Sequence, residues 1–155
     1  MNSAIERIVG LRVKDIMNQN VLTVSDADEM QTAAKRIFDS QVTGAPVVNA
    51  MGECVGVLSA SDFVGRDAGR HELELLTRTS PNEPYRIECL NDNLVGTHMS
   101  PVVQSIREDA MILAAARVMC NEGIHRLIVV NPQNHPVGIV STLDLVAAMV
   151  AAIEE

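Results

Sequence analysis

Apolar positions along the chain fall into two alternating rhythms. Residues 21–24 read as a short strand. After them, Asp26 or Asp28 can cap a helix whose apolar residues, Met30, Ala33, Ala34, Ile37 and Phe38, recur at i, i+3, i+4, i+7 and i+8, one face of an amphipathic helix. Gly44-Ala45-Pro46 breaks that period. Strands over residues 45–49 and 55–59 then flank a turn at 50–53, and a second helix starts near Ser59. The same course is run again. It comprises a strand at 103–106, a helix with Ile112, Ala115, Ala116, Met119 and Cys120 inward, a strand at 127–131, a turn at 132–136, a strand at 137–141 and a final helix. The predicted order is β-α-β-β-α twice, each preceded by a short helical lead-in at residues 13–17 and 95–99.

The rhythm repeats because the sequence does. Displacing the chain by 82 positions lays residues 13–64 on 95–146 without a gap, with 13 of 52 positions identical. The matches include Val13/Val95, Met17/Met99, Val47-Val48-Asn49/Val129-Val130-Asn131, Gly56/Gly138, Ser59/Ser141 and Asp62/Asp144. A period this long is one duplicated supersecondary unit rather than a solenoid. The predicted organisation is an N-terminal helix at 1–12, a first unit at 13–66, a linker at 67–93 and a second unit at 94–155. Within the linker, residues 71–77 read as helical and 80–84 as loop, with Tyr85 packing the linker on a neighbouring surface.

Composition narrows the class. Of 155 residues 47% are hydrophobic but only 2% aromatic, so the core must be aliphatic. Mean hydropathy of +0.14 is too apolar for a disordered chain. A net charge of -8 argues against a duplex nucleic-acid binder, which works through a basic face. A single small anion could still be held by a local cluster of N–H groups and a few basic residues. Three widely spaced cysteines with no C-x-x-C pair suggest neither a disulfide framework nor a thiolate metal site, and a reducing cytoplasm fits them. Cys120 falls on the apolar face of its helix and reads as core. Four scattered histidines lack metal-ligand spacing, so no metal is expected. Glu6 and Arg7 interrupt any signal-like run, and the longest apolar stretch, 145–153, is too short to span a membrane. No phosphate-loop, dinucleotide or serine-hydrolase motif occurs, so an enzyme is not expected.

One motif carries chemistry. Each last strand enters its helix through G-h-h-S-x-x-D: Gly56 to Asp62 and Gly138 to Asp144. Ser with an acidic residue three positions on is a capping box, and the glycine can serve close packing. The same atoms can also bind a nucleotide. A helix N-terminus and a Ser hydroxyl donate to phosphate, a carboxylate accepts both ribose hydroxyls, and a bare glycine admits a flat ring.

Duplication, motif and order together resemble the tandem cystathionine β-synthase (CBS) domain pair, the Bateman module. The lead-ins VKDIM at 13–17 and VGTHMSP at 95–101, the TGAPVVN at 43–49 and the HRLIVVN at 125–131 belong to the same pattern, which covers nearly the whole chain. The resemblance implies an α/β (α+β) fold of two CBS units paired by pseudo-twofold symmetry into a stand-alone module. It also implies a regulatory role in which adenosine-containing ligands, AMP, ADP, ATP or S-adenosylmethionine, bind clefts between the units. Carried across, it gives Asp62 and Asp144 the ribose, places Ser59 and Ser141 near ribose or phosphate, and makes Thr23 and Ser105 first-strand contacts. Gly56, Gly138, Thr43 and His125 complete the ligand set. Where the second repeat has His125-Arg126 the first has Thr43-Gly44, so Arg126 is the expected phosphate contact and the second site the better equipped. Ile128 departs from the pattern that Pro46 keeps.

The final helix carries Leu143, Leu145, Val146, Met149, Val150 and Ile153 with alanines between them, apolar on every side. Such a helix needs cover on more than one side. A homodimer is expected, with Ile5, Ile8 and Val9 joining the interface, and a separate regulated protein as reader of the ligand state. The alternative is a dimerisation or partner-docking protein that binds no ligand; neither nucleic acid nor membrane is expected as partner.

Overall fold

The computed structural model describes residues 3–63, 93–101 and 103–155. In chain order it contains α1 (Ser3–Gly10), α2 (Val13–Ile16), β1 (Val24–Ser25), α3 (Met30–Asp39), β2 (Gly44–Val48) and β3 (Cys54–Ser59). After these come α4 (Val95–His98), β4 (Ser105–Arg107), α5 (Ile112–Glu122), β5 (Arg126–Val130), β6 (Pro136–Ser141) and α6 (Thr142–Glu154). Residues 60–63 are also helical. The readings made for residues 71–77, 80–84 and Tyr85 lie outside the described residues. Among the described residues no helix is long and apolar enough to cross a membrane.

This is a mixed α/β fold with two three-stranded sheets, β1-β2-β3 and β4-β5-β6. The first two strands of each sheet are parallel, with Val24 opposite Val47 and Ser105 opposite Ile128. A parallel step requires a crossover, which α3 and α5 supply. In the second sheet β5 and β6 run antiparallel, setting Arg126 opposite Ser141 and Val129 opposite Gly138.

The chain forms two compact units whose limits differ from those of the repeats. One unit joins the chain up to Val21, the turn Met51–Cys54 and the chain from Val103 onward; the other holds the remaining described residues. Each lead-in helix is therefore built into the sheet of the opposite repeat. Val13 N–H donates to Ala110 O at 2.8 Å and Lys14 N–H to Glu108 O at 2.9 Å; equivalently, Val95 N–H donates to Asp28 O and Gly96 N–H to Asp26 O, both at 2.9 Å. The cores record the exchange. Val13 is buried with Ile112, Ala115, Met119, Leu127, Val129, Val140 and Leu145, and Val95 with Val24, Met30, Ala33, Ile37, Ala45, Val47 and Leu58. Burial of these side chains, about 1.5–3 kcal/mol for each Val, Leu, Ile and Met among them, is the main force holding either unit.

Several local expectations are corrected. Neither Asp26 nor Asp28 caps α3. Its N-cap is Glu29, with no side-chain bond, while the Asp28 carboxylate accepts the Ser25 N–H at 2.9 Å. Phe38 and Cys120, at equivalent positions, are exposed rather than core, Phe38 to 82%. They lie eight residues beyond Met30 and Ile112, and at 3.6 residues per turn that is about 80° around the helix from the buried stripe. Both first strands start later than the expected 21–24 and 103–106, at Val24 and at Ser105, and β1 starts one equivalent position later than β4. Its neighbour Pro46 has no N–H, whereas the equivalent Ile128 N–H donates to Gln104 O at 3.3 Å and extends the ladder.

Candidate functional site

Strand directions bring the second repeat's chemistry to one rim. Since β4 and β5 are parallel and β5 and β6 antiparallel, the beginnings of β4 and β5 and the end of β6 lie together. That rim carries Ser105 on β4, His125 and Arg126 at the start of β5, and Ser141 leading into α6 with Asp144 in its first turn. Thr142 N–H donates to His125 O at 2.9 Å, tying the helix N-terminus to the head of β5. His125, Arg126 and Ser105 are exposed, and Ser141 and Asp144 are half-buried.

Ser141 and Asp144 form a reciprocal cap. Asp144 Oδ2 accepts the Ser141 N–H at 2.7 Å and the Ser141 hydroxyl at 2.9 Å, and Ser141 Oγ accepts the Asp144 N–H at 3.1 Å. All three bonds fall on one carboxylate oxygen and one hydroxyl. No hydrogen bond from the described residues to Asp144 Oδ1 accompanies these, which leaves an acceptor beside a helix N-terminus on a carboxylate fixed through its other oxygen. Such a group can accept from a diol, and the neighbouring donors suit an anion.

In the first repeat the Ser–Asp pair recurs with different side chains around it. Ala60 N–H donates to Thr43 O at 3.2 Å, the counterpart of the His125 tie. Asp62 Oδ2 accepts the Ser59 N–H at 2.7 Å and the Ser59 hydroxyl at 3.2 Å, and the Ser59 and Ser61 hydroxyls share a bond of 2.8 Å. Thr23 stands just ahead of β1. A side chain at Gly44 would place its Cβ 2.8 Å from Leu58 O, so a residue like Arg126 could not stand there without a backbone shift. The cationic head of β5 belongs to the second rim.

Gly56 and Gly138 sit away from both rims and are buried. Their bare faces are taken by methionines. A Cβ at Gly138 would collide with the Met17 side chain and come within 3.1 Å of Asn18 O, and one at Gly56 would meet Met99 and lie 2.8 Å from Ser100 O. This geometry supports the close-packing role of these glycines. Beside them, Asn18 and Ile139 exchange main-chain bonds of 2.8 and 3.0 Å, and Ser100 and Val57 exchange two of 2.9 Å. Sequence reasoning missed Met17, Asn18, Met99 and Ser100 as supports of the motif strands. The signal was present in the twin identities Met17/Met99 and Gly56/Gly138, but period alone does not tell which repeat a lead-in will cover.

Comparison with known proteins follows the same lines. The chain is 30% identical over 154 residues to the uncharacterized protein MJ1426 of Methanocaldococcus jannaschii, covering 89% of this chain and 90% of that one. Further curated relatives are longer, and the chain spans 45% or 23% of their length. Among solved structures, CBSX2 in complex with AMP has a TM-score of 0.72 at 27% identity, with 94% of this chain and 100% of that chain covered. The CBS domain of a CBS-domain-containing membrane protein from Sphaerobacter thermophilus has a TM-score of 0.70 at 28% identity, with 94% and 91% covered. The CBS-domain family model matches twice, over residues 13–69 and 95–151, stretches that contain the self-aligned residues 13–64 and 95–146, and the chain belongs to the CBS-domain family.

Proposed function

We propose that this chain is a regulatory module that senses an adenosine-containing ligand at its strand-end rims, without catalysis of its own. The observation that carries the reading is the convergence of Ser105, Arg126, Ser141 and Asp144 on one rim. A relative 27% identical over nearly the same length, crystallised with AMP, supports it. At the second rim, Asp144 Oδ1 takes the ribose hydroxyls, while the α6 N-terminus, the Ser141 region and Arg126 with His125 hold phosphate. At the first rim, Asp62 takes the ribose role with Thr23, Thr43 and Ser59 beside it. AMP, ADP, ATP and S-adenosylmethionine share the adenosine that these groups address.

Signalling follows from differential binding. A ligand shifts a conformational equilibrium only by its difference in affinity for the two states. A separate protein then reads the favoured state. A second copy of the chain is the proposed cover for α6, where Leu143, Val146, Val150 and Ile153 form an exposed apolar stripe. In the same unit Arg7 of α1 donates to Ala152 O of α6 at 2.6 Å, so the exposed Ile5 and Val9 belong to a helix fastened to that end of α6. Light scattering at micromolar concentration should give twice the monomer mass.

A second reading has one observation in its favour. The Ser141–Asp144 bonds already complete a cap, and a cap needs no ligand. A thermal-shift screen of AMP, ADP, ATP, NAD and S-adenosylmethionine separates the two. Stabilisation that disappears in Asp144→Ala establishes the sensing role; no stabilisation by any of them establishes a docking protein. At a ligand concentration one hundred times Kd the expected stabilisation is about 2.7 kcal/mol.

A further inference from the structure

The two rims hold the same Ser–Asp pair in different electrostatic settings, and each lies within a single compact unit. At the second rim, Arg126 is the direct partner of Ser141 in the antiparallel pairing of β5 with β6, which puts the two Cα atoms about 4.5–5.5 Å apart. A guanidinium carried there serves an anion held at the N-terminus of α6. At the first rim the equivalent place is closed. A Cβ on Gly44 would stand 2.8 Å from Leu58 O and 3.4 Å from Ser59 Cα, so main chain fills the space in which a side chain would start.

The polar side chains that the described residues bring to Asp62 are hydroxyls. Asp62 Oδ2 accepts from Ser59 Oγ at 3.2 Å, the Ser59 and Ser61 hydroxyls share a bond of 2.8 Å, and Thr43 leads into β2. The described Lys and Arg residues of this unit, Lys35 and Arg36, stand on α3, where Arg36 Nη1 is paired with Asp28 Oδ2 at 3.6 Å. A carboxylate repels a phosphate unless a cation stands between them, whereas hydroxyls exchange hydrogen bonds with neutral and positively charged groups.

We propose that the first rim takes an adenosine ligand without phosphate, the free nucleoside or one with a neutral or positively charged 5′ substituent, while the second takes the phosphorylated form. The contrast of Gly44 with Arg126 sets the division. The proposal rests on the nucleotide reading above and deepens it, since the chain then reports on two chemical pools that share one base and sugar.

The test is calorimetric titration of the full-length protein with adenosine and with AMP. Asp144→Ala leaves the first rim and should bind adenosine at least as tightly as AMP. Asp62→Ala leaves the second and should bind AMP tighter than adenosine by at least about tenfold, a preference that Arg126→Gly, made in the same background, should remove. If circular dichroism shows that a variant does not fold, the wild type decides alone: saturated with adenosine, it should take up one equivalent of AMP. Asp144→Ala binding AMP more tightly than adenosine, Asp62→Ala with a smaller preference for AMP, or two equivalents of AMP displacing adenosine overturns the division and leaves nucleotide binding intact. Asp144→Ala binding neither probe while the wild type binds AMP overturns the assignment of the first rim. A wild type that binds neither probe overturns the nucleotide reading as well.

Discussion

The two repeats agree in most of their buried positions and differ mainly where they meet solvent. Met30, Ala33, Ile37, Ala45, Val47 and Leu58 of the first have their counterparts Ile112, Ala115, Met119, Leu127, Val129 and Val140 in the second, and both sets are core. At the rims the pairs diverge, Thr43-Gly44 against His125-Arg126 and Ser61 against Leu143, while in the interior Pro46 against Ile128 is a buried exception. Packing requires volume and apolarity, which many sequences satisfy, so the shared interior specifies the fold. Charge and hydrogen-bonding groups at the rim decide what binds, so two copies of one fold can carry unequal sites.

Substitutions can break or sharpen this contrast. The largest stability effect is expected at the glycines, where the repeats behave alike. Gly138→Val or Gly56→Val must displace Met17 or Met99, and each should cost about 1–3 kcal/mol in urea denaturation, the usual penalty for overpacking. A loss at one glycine only would show that the lead-ins are not equivalent. At the caps, Ser141→Ala should destabilise by about 1 kcal/mol through loss of the bond to Asp144 N–H. Asp144→Ala should also weaken AMP binding at least tenfold, about 1.4 kcal/mol, whereas Asp62→Ala removes the less charged rim and should weaken it less. The strand difference can be imposed on the second repeat. Ile128→Pro removes the N–H that reaches Gln104 O and should cost about 1 kcal/mol. Smallest is the helix C-terminus, where Gln41 at φ 56° stands in the left-handed region that Gly123 occupies at φ 64°. Gln41→Gly should stabilise by about 0.5–1 kcal/mol, and Gly123→Gln should lose a similar amount.

Much of this was legible in the sequence, for reasons that also mark where reading stops. The strands 54–59 and 136–141, the helices carrying Met30 to Ile37 and Ile112 to Met119, and the capping box at Ser141 follow from period and local hydrogen-bonding chemistry. Those are short-range rules. Phe38 and Cys120 are apolar in type, but their angle around the helix, about 80° from Met30 and Ile112, sets them outside the buried stripe. That β1 starts one equivalent position later than β4 fits an N–H missing from a neighbouring strand some twenty residues away. The crossing of the lead-ins depends on tertiary pairing, since Val13 and Val95 look the same whichever sheet they cover. At the site, the types of group were legible and their common rim was not, because it arises only when β4 and β5 run parallel and β6 returns beside them.

The central claim is that the rim of Ser105, Arg126, Ser141 and Asp144 is a nucleotide site. A crystal structure of the full chain grown with saturating AMP tests it most directly. The account predicts ribose hydroxyls on Asp144 Oδ1 and the phosphate facing Arg126 and the N-terminus of α6. AMP held elsewhere, with this rim carrying only its own cap, would contradict it.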